Sequence, residues 1–200
     1  MCGIVAFSAK TDYNEDKIKT LLLFNQDRGK DSFGYYVPNK EVSKTLGKIE
    51  DIGGSKDFKL PSSNLFIGHV RAATVGRVEV KNSHPFIHGN IILAMNGTLN
   101  NHWSLCTEYG FSMQDFDVDS DVLTACLNKD QSKEIFSKIL GGCAVVYTDS
   151  NTDKLYCYRN ADRPLYRGTI NGDMYISSID KSLKYIGCDN VKEFKQDNLY

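Results

Sequence analysis

With 200 residues, 41% hydrophobic and 24% charged, the chain can bury one core of normal size, and residues 1–200 are expected to form a single soluble domain. A formal net charge of -1 gives no electrostatic case for binding nucleic acid or an acidic membrane. No apolar run approaches the ~20 residues of a membrane helix, and the basic-then-apolar pattern of a secretory signal is missing.

In chain order, residues 2–8, CGIVAFS, predict a short buried strand. Ile18, Leu21 and Leu22 carry a helical spacing within 17–24, and the polar run from Asn25 to Gly29 ends that helix. Residues 34–37 and 42–49 predict two strands joined at Pro38-Asn39, and 52–63, with Gly53-Gly54 and Pro61, a loop. Residues 65–70 predict a strand running into Arg71, followed by a polar loop that carries His84-Pro85. Ile91 to Met95 predict a buried strand that stops at Asn96-Gly97, a strong turn signal. Helices are expected at 102–109, 120–128 and 131–140, strands at 144–147, 154–158 and 174–177, and a short helix at 181–186. About eight strands with mostly short connections give an α+β fold with largely antiparallel sheets.

Cysteines stand at 2, 106, 126, 143, 157 and 188 without a C-x-x-C pair. That usage fits a reduced, cytoplasmic protein. His84 and His88 have metal-like spacing, but Pro85 opposes a helix that would present both, so no metal and no cofactor are expected.

The chemistry starts at Met1-Cys2-Gly3. Removing an initiator Met before a small residue would leave Cys2 with a thiol and a free α-amine. The thiolate is a nucleophile, and an amine of pKa about 7.7–8.0 can serve as its base. Taken alone, Cys2 reads first as a small buried residue opening a strand, and it is the rest of the chain that favours the nucleophile. Other polar groups fall at strand ends. The planar fork of Arg71 suits a carboxylate, and the Asn96 amide with the Gly97 N–H suits an oxyanion. The run Asp115, Asp117, Asp119, Asp121 opens like a calcium loop but has Ser120 at the sixth position and Cys126 at the twelfth, and fails that test. Asp119 or Ser120 is expected to cap a helix beginning near Asp121. Capping occupies one carboxylate, which leaves others for a cationic group.

These pieces resemble the glutaminase domain of class II glutamine amidotransferases, the N-terminal-nucleophile family with a leading cysteine. The matching segments are Met1-Cys2-Gly3-Ile4, residues 28–34 (RGKDSFG), 68–76 (GHVRAATVG), 83–86 (SHPF), Met95-Asn96-Gly97 and 119–123 (DSDVL), with weaker echoes at 142–146 and 159–165. They follow the family's order and span nearly the whole chain. Two positions depart from it. Ala72 stands where amino-sugar synthases usually carry an aromatic residue, and Met95 where many members have His.

The resemblance implies a four-layer αββα sandwich of two antiparallel sheets. It implies Cys2 as nucleophile, Asn96 and Gly97 as oxyanion hole, Arg71 for the α-carboxylate of L-glutamine and Asp119 for its α-ammonium. Thr74 and His84 fall where pocket residues lie, and the Arg28 loop lies near the nucleophile. The implied reaction hydrolyses glutamine to glutamate and ammonia through a γ-glutamyl thioester. Because the sequence stops at Tyr200, near the closing stretch of such domains, the ammonia acceptor is expected to be a synthetase or synthase on a separate chain. A stand-alone γ-glutamyl amide hydrolase and an inactive interaction domain are the competing readings. The joint presence of Cys2, Arg71, Asn96, Gly97 and Asp119 speaks against the last.

Overall fold

The computed structural model describes residues 1–53, 58–130, 134–161 and 163–200. The chain first forms β1 (Gly3–Ser8), α1 (Glu15–Asn25), β2 (Ser32–Tyr36), β3 (Ser43–Leu46) and α2 (Ile49–Gly53). β4 (Leu65–Arg71), β5 (Phe86–His88), β6 (Ile91–Gly97), α3 (His102–Glu108), α4 (Asp119–Asp130) and α5 (Ile135–Lys138) follow. The last part forms β7 (Cys143–Asp149), β8 (Lys154–Arg159), β9 (Tyr166–Ile170), β10 (Asp173–Ser177), α6 (Asp180–Tyr185), β11 (Asp189–Glu193) and β12 (Asn198–Leu199).

The strands make a seven-stranded sheet, β11-β9-β10-β1-β4-β2-β3, and a five-stranded sheet, β12-β8-β7-β6-β5. The strand pairs are antiparallel. Strand alternation then dictates the layers, because successive side chains point to opposite faces. In β1, Val5 and Phe7 pack with Ile18, Leu21 and Leu22 of α1 and Leu183 of α6. Ile4 and Ala6, with Leu65 and Ile67 of the neighbouring β4, face the other sheet, where they meet Ile92 and Ala94 of β6 and Ala144 and Val146 of β7. On the outer face of the smaller sheet, Leu93, Met95 and Val145 pack against Leu105 of α3, Val122 and Leu123 of α4, and Ile135 of α5. Three apolar layers thus separate four layers of secondary structure, the αββα sandwich. Asn14 caps α1 by accepting the Lys17 N–H at 3.0 Å, and Glu15 and Asp16 suit the positive end of that helix.

Several expectations change. The strand expected over 42–49 ends at Leu46, because Gly47 takes φ +93° and turns the chain, and Ile49 opens α2 to bury itself with α1. The loop expected over 52–63 begins later, since α2 runs to Gly53; residues 54–57 lie outside the described residues. Of the helix expected over 131–140, α5 covers Ile135–Lys138, with 131–133 outside the described residues. Asn96-Gly97 makes no hairpin, because β6 continues through Gly97 in register with Cys143. α4 starts at Asp119, so neither Asp119 nor Ser120 stands before it as a cap. The Val118 carbonyl instead accepts the Asp121 and Val122 N–H groups at 3.2 and 3.3 Å.

Candidate active site

The site sits where the stripes between the sheets turn polar. Cys2 continues the inward stripe of Ile4 and Ala6, and His69 and Arg71 continue that of Leu65 and Ile67. Asn96 continues that of Ile92 and Ala94. Strand periodicity alone therefore points a thiol, a guanidinium and an amide into one end of the sandwich.

Cys2 is held on several sides. Its backbone N–H donates to Asn96 Oδ1 at 3.0 Å, and its carbonyl accepts from Arg28 Nε at 2.8 Å. The Sγ lies against the Ala72 backbone, 3.4 Å from the nitrogen and 3.5 Å from the oxygen. Burial raises the thiol's pKa, and the Ala72 contact, the N-terminal ammonium, Arg71 and Arg28 offset this in part. At neutral pH the thiol is therefore protonated and needs a base to become a nucleophile. Met1 precedes it with its side chain largely in solvent (64% exposed) and its Sδ 3.7 Å from Arg28 Nη2.

Arg71, the last residue of β4, is buried, and this lowers its pKa. Its guanidinium donates to the carbonyls of Val75 (2.7 Å) and Arg77 (3.1 Å), folding the connection after β4 back over itself. It makes no ion pair among the described residues. Gly29 packs directly on this strand end, since a Cβ there would stand 2.4 Å from the Arg71 carbonyl carbon. That contact explains the Arg28-Gly29 dipeptide. The glycine lets the turn approach, and the arginine then reaches the Cys2 carbonyl.

Asn96 is also buried. Its Oδ1 is used by Cys2, but its Nδ2 has no partner among the described residues. Gly97 has φ +152°, and a Cβ there would meet the Gly142 carbonyl oxygen at 2.2 Å, so glycine is required. Asp119 lies at the start of α4. One carboxylate oxygen accepts the Leu99 N–H at 2.8 Å and the other the Ser120 N–H at 3.0 Å. Its pKa is raised by burial, which outweighs these two bonds. Two other acids of the run are engaged elsewhere: Asp117 pairs with Lys81 at 2.5 Å and Asp121 with His88 at 2.8 Å.

Cys2, Arg71, Thr74, His84, Gly97 and Asp119 line one cavity, Thr74 at its exposed rim. Asn96 adjoins it through Cys2, and Arg28 stands behind Cys2. The cavity measures about 20 Å³, near the size of a single water, and Ala72, Thr74 and Val75 form part of its wall.

Three contributors escaped the sequence reading. Ala72 acts through its backbone, which no side-chain pattern reveals. Asp31 accepts the Ala73 N–H at 2.8 Å and anchors the same connection. His69 donates across the sheets to Met95 O. Its place two residues before Arg71, on the same face of β4, was the available signal.

A cysteine at the head of a central strand, in a sandwich of two antiparallel sheets between helices and facing an amide whose nitrogen is unpaired among the described residues, defines the N-terminal-nucleophile hydrolase architecture. Residues 69–185 match the family model described as glutamine amidotransferase domain. Among similar proteins, a glutamine–fructose-6-phosphate aminotransferase of Thermococcus kodakarensis is 31% identical over 196 residues, covering 89% of this chain and 32% of its own length. An amidophosphoribosyltransferase of Archaeoglobus fulgidus is 30% identical over 138 residues, 64% of this chain and 30% of that protein. Among solved structures, the glutamine phosphoribosylpyrophosphate amidotransferase from B. subtilis superposes with a TM-score of 0.76 at 21% identity, over 99% of this chain and 46% of that one. A structure titled as the allosteric regulatory enzyme of purine biosynthesis gives 0.78 at 22%, with the same coverage. The chain belongs to the class II glutamine amidotransferases. It spans about a third of the length of the curated relatives it matches.

Proposed function

We propose that this chain hydrolyses the side-chain amide of L-glutamine to glutamate and ammonia. The observation that carries this reading is the charge pattern of one cavity. A thiol, an arginine without an ion pair among the described residues and a partly satisfied carboxylate share its wall. Arg71 and Asp119 complement the carboxylate and ammonium of a free amino acid, with Cys2 placed for a side-chain carbonyl.

Once Met1 is removed, the α-amine of Cys2 occupies the position now held by its amide, next to Asn96 Oδ1. It takes the thiol proton as Sγ attacks the amide carbon. The oxyanion is met by Asn96 Nδ2 and the Gly97 N–H. As the C–N bond breaks, the ammonium of Cys2 returns the proton to the departing nitrogen, releasing ammonia and leaving a γ-glutamyl thioester. Water, deprotonated by the same amine, then splits the thioester to glutamate. Thr74 and His84 shape the pocket, and Arg28 fixes the Cys2 carbonyl. The ammonia goes to a synthase on a separate chain, in a reducing cytoplasmic setting where the thiol survives.

The test is ammonia and glutamate release from L-glutamine by protein shown by mass to start at Cys2, alongside Cys2→Ala. Turnover with glutamine that vanishes in Cys2→Ala supports the reading. Turnover with γ-glutamyl peptides but not with glutamine replaces it with a stand-alone hydrolase. Co-purification with a synthase supports the separate acceptor.

A further inference from the structure

β5 stops at Phe86, opposite Leu93, so beyond that point β6 has no β5 partner on that edge. The Met95 carbonyl is met instead from the other sheet, where His69 Nε2 lies 2.9 Å away. A carbonyl only accepts, so Nε2 carries the proton and Nδ1 does not. The ring cannot swing, because it stacks on His84 with centroids 4.0 Å apart at 31°, and His84 in turn stands edge-on to Phe86 at 4.8 Å. Both imidazoles are buried. Burial keeps both rings neutral, and the charged groups that face them, Arg71 for both and Lys44 for His84, are cations that act in the same direction.

His69 also sits in the ladder opposite Ile4 of β1, two residues from Cys2. One residue therefore touches both the strand that leads from the nucleophile and the carbonyl that precedes Asn96. We propose that His69 is a positioning residue: its Nε2–H, fixed by the His84 stack, sets the height of Met95 and hence of the Asn96 amide relative to Cys2. The proposal rests on the glutaminase reading for its kinetic consequence and on geometry for its structural one. A misplacement of about 1 Å in such a group can cost about a hundredfold in rate.

Three variants separate the roles of the ring. His69→Gln keeps a donor near the Nε2 position, His69→Asn moves it to the Nδ1 position, and His69→Phe keeps the ring without a donor. Expected are kcat values for glutamine about 10- to 100-fold lower in Asn and Phe, with KM little changed, and recovery of most of the loss in Gln. A measurement free of turnover runs beside it. In ¹⁵N-labelled protein, His69 should show the neutral Nε2–H tautomer from pH 5 to 8. The Asn96 side-chain amide resonances should move in the Asn and Phe variants and return in Gln.

Wild-type kcat in His69→Phe, equal activity in Asn and Gln, an Nδ1–H tautomer, or unmoved Asn96 resonances would each overturn the role. If Phe does not fold, the Gln and Asn pair decides. If wild-type protein shows no glutamine turnover, the functional reading fails and the resonances alone decide the His69 question.

Discussion

The Asn96 amide is divided between two tasks: its oxygen takes the Cys2 N–H at 3.0 Å, while its nitrogen has no partner among the described residues and lies beside the cavity. Asn96→Ala should therefore lower kcat by about 10²–10³ with a smaller effect on KM, the loss typical of one oxyanion donor. Asn96→Asp makes a sharper case. It keeps an oxygen at Cys2 but adds a negative charge beside the α-amine, which favours the ammonium and raises its pKa. The base then becomes available only at higher pH, so the acid limb of the rate profile should shift to alkaline values. A profile that stays in place while kcat falls would remove the amine from the mechanism.

Met1 blocks the amine as long as it remains. Its exposure makes it accessible to an aminopeptidase. Intact mass of active protein should show the chain starting at Cys2, and a preparation that retains Met1 on every molecule should be inert. A glutamine analogue bearing a δ-diazoketone should label Cys2 alone. Cys106, Cys126, Cys143 and Cys157 are buried and Cys188 is half-buried, burial raises the pKa of each as it does that of Cys2, and none of these five lines the cavity that Cys2 faces. Peptide mapping that finds the label elsewhere would contradict the assignment.

Asp119→Asn should raise the KM for glutamine by roughly tenfold to a hundredfold, since a hydrogen bond to a charged group contributes about 1.5–3 kcal/mol. Arg71→Lys should do the same, because a point charge cannot reproduce the guanidinium's two bonds to Val75 and Arg77. Steady-state kinetics with circular dichroism checks both. If Asp119→Asn leaves KM untouched and Asp121→Asn abolishes activity, the acid has been misassigned along the run.

The stacked histidines predict how stability responds to acid. Burial is the main cause that depresses both, His69 from 6.5 to about 3. Below about pH 6.5 the unfolded chain binds protons that the folded chain refuses, so stability falls with falling pH through that window. The slope reaches about 1.4 kcal/mol per pH unit for each histidine. Denaturant titrations between pH 7 and 4 should show this loss, and His69→Gln should reduce the proton uptake on unfolding by about one. An unchanged uptake would mean that His69 titrates normally in the fold.

Much of this arrangement was legible in the sequence because it depends on alternation. Ile4 and Ala6, Leu65 and Ile67, and Ile92 and Ala94 announce strands with one face inward, and Cys2, Arg71 and Asn96 extend those stripes by even steps. β5, β9, β11 and β12 were not legible. FIH is too short to show a period and reads as part of the polar loop, and YRGTI, DNVKE and NL lack an apolar pattern. Pairing with a neighbouring strand, not local preference, makes all four strands. The Asn96-Gly97 signal misled for a related reason. Glycine there serves a close approach to Gly142, whereas the dipeptide by itself reads as a turn. His69 went unnoticed because its partner is a backbone carbonyl on the opposite sheet.

The placement of the polar groups at the tips of the inward stripes has a consequence for how this protein can change. Ile4, Ile67 and Ala94 hold the two sheets together, while the residues that face the cavity come after or before them on the same strands. A substitution at a tip alters what the pocket accepts without opening a hole among the buried aliphatics, and one deeper in a stripe does the reverse. Mutational scanning along β1, β4 and β6 should therefore divide each strand into a segment whose variants lose abundance and a segment whose variants lose only turnover, with the border falling between Ile67 and His69 on β4.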